Sequence, residues 1–187
     1  MGSGSAARSV TGGLSHLPTG KNPTAKILKS PEEIDWGMVI AIAESETKQI
    51  SSRAGMELSK SSPYFRTWIR QAADDCRNMI GLIEKNDFSG IGELAEANAL
   101  AMHACIISSR PGIIYWSDTT IRLMEACRRY RTNGLECYFT IDAGANVIFL
   151  TKQGNMQKLA RRLRSLKGVK QVLSGKPAGG AEIEFVE

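Results

Sequence analysis

Apolar residues recur at helical spacing through the middle of the chain and run almost unbroken in a few short stretches, and these two periods predict the elements. From Tyr64 to Lys85, the positions Phe65, Trp68, Ile69, Ala72, Cys76, Met79, Ile80 and Ile83 keep the i, i+3, i+4 rhythm of one helix face. From Gly90 to Ser108, Ile91, Leu94, Ala95, Ala101, Met102 and Cys105 do the same, with Asn98 on that face. A third helix is predicted over "SDTTIRLMEACRRYRTNG", with a Ser/Asp cap at its start and Gly134 as its stop. Between the second and third, "GIIYW" reads as a short extended piece. A fourth helix runs from Met156 to about Leu166, with Met156, Leu159, Ala160 and Leu163 on one stripe.

Strands flank these helices. "AKILKS" and "IDWGMVIAIAES" read as strands, the second with the continuous apolar core of a buried one. "LECYFTIDAGANVIFLTK" is the strongest strand-turn-strand signal, two β-rich runs around a tight "DAGAN". "VKQVLSGKPAGGAEIEFVE" reads as two short strands around a Gly/Pro loop. Near the start, "SAARSV" predicts a short helix, followed by the turn-rich "HLPTGKNPT"; "ETKQISSRAGMELSKSSP" predicts a polar loop with one helical turn. Strands and helices alternate without a regular βαβ period, which predicts an α+β fold: a mainly antiparallel sheet with helices packed on one face.

Composition narrows this modestly. The chain has 187 residues, 42% hydrophobic and 23% charged, as in a soluble globular protein. No apolar run approaches the roughly 20 residues of a membrane span, and no signal or transit segment opens the chain, so the expected location is the cytoplasm. A net charge of +5 suits an anionic substrate or a weak nucleic-acid surface. The densest basic stretch is "KLARRLRSLKGVK". Its Lys158, Arg161, Arg162 and Arg164 fall off the apolar stripe and interleave with no aromatics, so it reads as a solvated helix face rather than a nucleic-acid platform. Cys76, Cys105, Cys127 and Cys137 form no C-x-x-C pair and read as buried thiols of a reducing compartment. His16 and His103 are the only histidines, too few for a histidine-rich metal site.

Four polar features stand out. The opening "GSGSAAR" places glycines and serines ahead of a predicted helix, where backbone N–H groups and the helix dipole suit a phosphate, with Arg8 about a turn in. It is neither a Walker A loop nor a Rossmann fingerprint. "SSRAG" at Ser51–Gly55 is a second serine-plus-arginine loop; Asn98 and His103 are polar groups on a helix; Asp142 sits where a strand breaks into glycine. Each has a plain alternative: a linker, a helix cap, satisfied core polar groups, a turn starter. Two donor loops and one carboxylate together point to phosphoryl-transfer chemistry.

In order and spacing, "GSGSAARSVTGG", "SSRAGM", "EANALAMHA" and "YFTIDAGANV" resemble the diphosphomevalonate decarboxylases of the GHMP kinase superfamily, over nearly the whole chain. In that family the Gly-Ser loop lies near mid-chain, so the resemblance implies a C-terminal portion: residues 1–24 as a phosphate loop and helix left from the N-terminal half, 25–187 as the C-terminal α+β domain. It further implies ATP- and Mg²⁺-dependent decarboxylation of mevalonate 5-diphosphate to isopentenyl diphosphate. Asp142 would act on the C3 hydroxyl and Arg8 would pair with the substrate carboxylate. Ser3, Gly4, Ser5, Ala6 and Ala7 would contact substrate and ATP phosphates, and Ser52 and Arg53 the diphosphate. No protein metal ligands are implied, and a homodimer is compatible with it. Ala145 stands where the family usually has proline, which would loosen the turn holding Asp142. Phosphomevalonate decarboxylases and C3-hydroxyl kinases share the scaffold and stay open as alternatives, as does a non-catalytic anion- or RNA-binding domain.

Overall fold

The computed structural model describes residues 10–21, 23–43 and 50–182. A small hairpin, β1 (Leu14–His16) with β2 (Lys26–Lys29), precedes the main sheet. That sheet is four-stranded and antiparallel throughout: β3 (Trp36–Ala43), β4 (Cys137–Thr140), β5 (Val147–Lys152) and β6 (Val169–Gly175), in the order β4-β5-β3-β6. Among the described residues five helices accompany it: α1 (Ser52–Ser59), α2 (Phe65–Glu84), α3 (Phe88–Ile107), α4 (Asp118–Thr132) and α5 (Met156–Arg164).

Side chains of a strand alternate between its faces, and here that alternation sorts two cores. Val39 and Ala41 of β3, Cys137 and Phe139 of β4, and Val147 and Phe149 of β5 meet Leu123, Ala126 and Cys127 of α4 and Leu159 and Leu163 of α5 in the main core. Trp36, Tyr138 and Leu150 turn the other way and join Ile83, Phe88 and Ile91 in a smaller cluster at one end of the second face. Met38 and Leu173 are exposed.

Helix α5 follows its sequence pattern, burying Met156, Leu159, Ala160 and Leu163 and exposing Lys158, Arg161 and Arg164. The helix at "SSRAGMELS" is longer than the expected single turn, spanning eight residues from a Ser51 cap whose Oγ accepts from Ala54 N–H at 3.2 Å. Residues 112–116 form no strand.

Two helices depart from their apolar stripes. In α2, Ile69 is 47% exposed while Asp75 turns inward, where its carboxylate accepts from Gln71 Nε2 and Asn98 Nδ2, both at 2.8 Å. The polar contact between α2 and α3 sets the rotation of α2, and it leaves Cys76 exposed, unlike the buried Cys105, Cys127 and Cys137. In α3 the buried positions are Phe88, Ile91, Gly92, Glu96, Ala99, His103, Cys105 and Ile106, so Ile91 and Cys105 are buried as expected while a glycine, a carboxylate and an imidazole share the buried side. The predicted helix at "SAARSV" and the second C-terminal strand fall largely outside the described residues, and the expected boundary after residue 24 falls just before β2 of the hairpin.

Candidate functional site

Helix α3 lies along the outer edge of β4, and the site grows from that contact. At Gly92 an added β-carbon would come 2.1 Å from the Tyr138 ring, so only glycine lets the helix approach this closely. One turn on, Glu96 Oε1 accepts the outward Phe139 N–H at 3.1 Å. Further along, His103 Nε2 lies 3.1 Å from the Asp142 carbonyl. A carbonyl can only accept, so Nε2 carries the proton and donates. From Gly92 to His103 the helix rises about 16 Å; from Tyr138 to Asp142 an extended chain covers about 13 Å. Helix and strand therefore keep pace in the same direction.

The Asp142 loop, residues 141–146, is anchored at two further points. Thr120 Oγ1 donates to the Ala145 carbonyl at 2.7 Å, and Ala43 N–H donates to Asn146 Oδ1 at 3.1 Å. The turn around Ala145 is thus held by hydrogen bonds from α4 and β3. Asp142 itself is exposed, while its main chain is tied. A cleft of about 330 Å³ between α2 and α3 opens beside the end of β4, lined by Asp75, Cys76, Asn98 and Thr140 among others.

Ser52 and Arg53 form the exposed first turn of α1. This turn reaches the Asp142 loop through two aromatic groups. The Tyr115 hydroxyl donates to the Ser51 carbonyl at 3.2 Å. The Tyr115 ring stands edge-on to the His103 ring, centroids 6.4 Å apart, and Trp116 packs on His103 at 4.8 Å. His103 is 1% exposed, and its burial pushes its pKa below the ordinary histidine value, an effect opposed by its contacts to the Asp142 and Ile141 main chain and by the Asp142 charge. It is a neutral group at neutral pH.

The contacts therefore run from the Asp142 main chain to Ser51, the residue before Ser52 and Arg53. Ser3, Gly4, Ser5, Ala6, Ala7 and Arg8 lie outside the described residues. Tyr115, Trp116, Gly55 and Thr120 carry the linkage and were not singled out by pattern; Tyr115 lies in a segment without regular structure, where no period marks a side chain. Among the described residues no cluster of three His, Cys, Asp or Glu side chains could hold a metal ion, and no helix is long and apolar enough to cross a membrane.

A family model described as the mevalonate 5-diphosphate decarboxylase C-terminal domain matches residues 38–179. A phosphomevalonate decarboxylase of Haloferax volcanii is 30% identical over 164 residues, 84% of this chain and 49% of that protein. The chain thus spans about half the length of the curated relatives it matches. Among solved structures, mevalonate diphosphate decarboxylase from Staphylococcus aureus superposes with a TM-score of 0.89 at 30% identity, covering 99% of this chain and 57% of that one. A structure described as MDDEF in complex with MVAPP, AMPPCP and magnesium gives 0.86 at 31% identity, covering 95% and 56%.

Proposed function

Because the chain belongs to the mevalonate 5-diphosphate decarboxylase C-terminal domain family, we propose that it is the part of a diphosphomevalonate decarboxylase that holds the catalytic carboxylate. The reaction is the ATP-dependent conversion of mevalonate 5-diphosphate to isopentenyl diphosphate, with release of ADP, phosphate and carbon dioxide. The observation that carries this reading is Asp142: an exposed carboxylate on a loop whose main chain is tied to α3, α4 and β3.

A tertiary hydroxyl is a weak nucleophile, and a carboxylate held against it both orients it and receives its proton as the phosphoryl group is transferred. Asp142 has that role. Its loop geometry is set before substrate arrives, so little conformational freedom is lost at the reacting centre. Phosphate then leaves C3 as the C–C bond to the carboxylate breaks, and the electron pair becomes the new double bond. Arg8 matches the family residue that pairs with the substrate carboxylate, since a guanidinium fork grips a carboxylate bidentately. Ser52 and Arg53, with Ser3 to Ala7, supply hydroxyl, guanidinium and backbone N–H donors, a set suited to diphosphate and ATP oxygens. ATP would supply the phosphoryl group, and Mg²⁺ would supply charge neutralisation for its phosphates. A cytoplasmic setting fits these soluble substrates.

The Haloferax volcanii relative favours a second reading, a phosphomevalonate decarboxylase. Turnover of the full-length polypeptide on mevalonate 5-phosphate against the 5-diphosphate separates the two. The test of Asp142 is Asp142→Asn in that polypeptide. Shape and most substrate affinity should persist, while turnover falls by roughly 10²–10⁴-fold, as on loss of a proton-transfer group. Asparagine suits the same turn, so wild-type phosphate release at an unchanged Tm would remove the catalytic assignment.

A further inference from the structure

The working groups of the proposed reaction stand on separate elements: Asp142 on the loop after β4, Ser52 and Arg53 on the first turn of α1. One substrate molecule has to meet both, because its reacting hydroxyl and its diphosphate are joined by a short carbon chain. The separation between carboxylate and donor turn must therefore match that chain, and a displacement of about 1 Å can cost on the order of 10²-fold in rate.

The connection between the two elements runs through Tyr115 and His103. The Ser51 carbonyl accepts twice, from Gly55 N–H at 2.9 Å within the helix and from the Tyr115 hydroxyl at 3.2 Å. Tyr115 can lie against α1 only because residue 55 is glycine: a β-carbon there would stand 2.1 Å from the Tyr115 hydroxyl oxygen. The other end of the connection is the buried His103, edge-on to the Tyr115 ring and covered by Trp116. Its Nε2–H is committed to the Asp142 carbonyl and its ring is buried, so it does not reach a substrate. It holds main chain, and thereby aims the side chain of the same residue.

We infer that His103 and Tyr115 are positioning residues that set the distance between the Asp142 carboxylate and the Ser52–Arg53 turn. The inference rests on the reading of those two elements given above. Removing His103 frees the carboxylate end and acts on kcat; removing the Tyr115 hydroxyl frees the donor turn and acts on KM. A role confined to stability would produce neither split.

The test is steady-state kinetics in the full-length polypeptide with His103→Leu, His103→Gln, Tyr115→Phe and Gly55→Ala. His103→Leu should lower kcat by about 10–100-fold with little change in KM, and amide exchange at Gly144 should quicken. His103→Gln, whose amide N–H reaches the same carbonyl, should recover most of that loss. Tyr115→Phe and Gly55→Ala should raise KM for mevalonate 5-diphosphate several-fold with kcat nearly unchanged. These two keep the ring and the helix, so they report even if His103→Leu folds poorly. Wild-type kcat and KM in Tyr115→Phe and Gly55→Ala would overturn the inference, as would a His103→Gln no better than His103→Leu. If Asp142→Asn is inactive while the His103 and Tyr115 variants behave as wild type, the positioning role alone falls. If Asp142→Asn turns over normally, the reading of the site falls and takes the positioning role with it.

Discussion

At the start of β4, Glu96 and Arg131 close the strand's outer edge, whereas at its far end His103 grips only main chain and leaves the Asp142 side chain outside. Both ends use polar residues from α3, and the difference is in what remains unmatched. At the first, Arg131 bonds Glu96 at 2.7 and 3.1 Å and the Cys137 carbonyl at 2.7 Å, and its guanidinium stacks on Tyr138 at 4.5 Å. Glu96 in turn accepts from Phe139 N–H, so the edge that could pair with another strand is covered. The pairing with Glu96 holds the Arg131 pKa above its ordinary value. Cys127 packs beside this pair; its hydrogen bond to Cys137, then its burial, push its pKa up and keep the thiol protonated. At the second end the protein satisfies the backbone and leaves the charge to the outside. A group intended for a ligand is recognisable by its well-held carrier and its uncommitted head.

The sharpest way to break this contrast is Glu96→Leu. It leaves Arg131 without its partner and the Phe139 N–H without an acceptor. Loss of one partner of a buried pair costs about 3–5 kcal/mol. Arg131 is 29% exposed at its side chain, so the expected cost is nearer 3 kcal/mol, or a Tm lower by roughly 6–12 °C. Glu96→Gln, which keeps an acceptor for Phe139, should cost less. Thermal unfolding monitored by circular dichroism measures both, and a Tm within a degree of wild type for Glu96→Leu would show that the pair is solvated.

A smaller effect is expected at Thr120→Val. Thr120 is fully buried and its hydroxyl serves both the Ala145 carbonyl and the Ser117 N–H that opens α4. About 1–2 kcal/mol should be lost, with hydrogen exchange quickening at residues 143–146 while β4 stays protected. Exchange rising equally in β4 would mean that loop and strand open as one unit.

The least effect is the pH dependence of His103. Its pKa is lowered in the folded state, against about 6.5 when unfolded. Between those values the unfolded chain binds the extra proton, so stability is level above about pH 6.5 and falls as pH drops from there toward the lower folded-state value. His103→Gln should remove that slope. An unaltered slope in the variant would assign it to another group.

The parts of the fold legible in the sequence were those in which apolar residues do the burying. Helix α5 and strand β3 have that character, and Asp142 stood out as a polar residue at the break of an apolar strand. Helix α3 was legible in part: Ile91 and Cys105 are buried as expected, but Gly92, Glu96 and His103 share the buried side, and a reading that seeks hydrophobic residues passes over them. Asn98 serves Asp75 on α2. Tyr115 was illegible for another reason: its partner, the Ser51 carbonyl, is 64 residues away in sequence, and no local period encodes such a pairing.

The close approach at Gly92 has a consequence for how this region tolerates changes in length. Gly92 and His103 are fixed to β4 and to the Asp142 loop at two points, so the spacing of eleven positions from one to the other serves as a gauge. Deleting a single residue between them would rotate everything beyond by about 100° and withdraw about 1.5 Å of rise, carrying the imidazole off the Asp142 carbonyl. Among its described residues the turn between β1 and β2 bears no such double attachment, and adding residues to it costs little loop entropy. Insertions and deletions accepted over evolution should therefore gather in that turn and spare the Gly92–His103 interval, whatever happens to the identities of the residues within it.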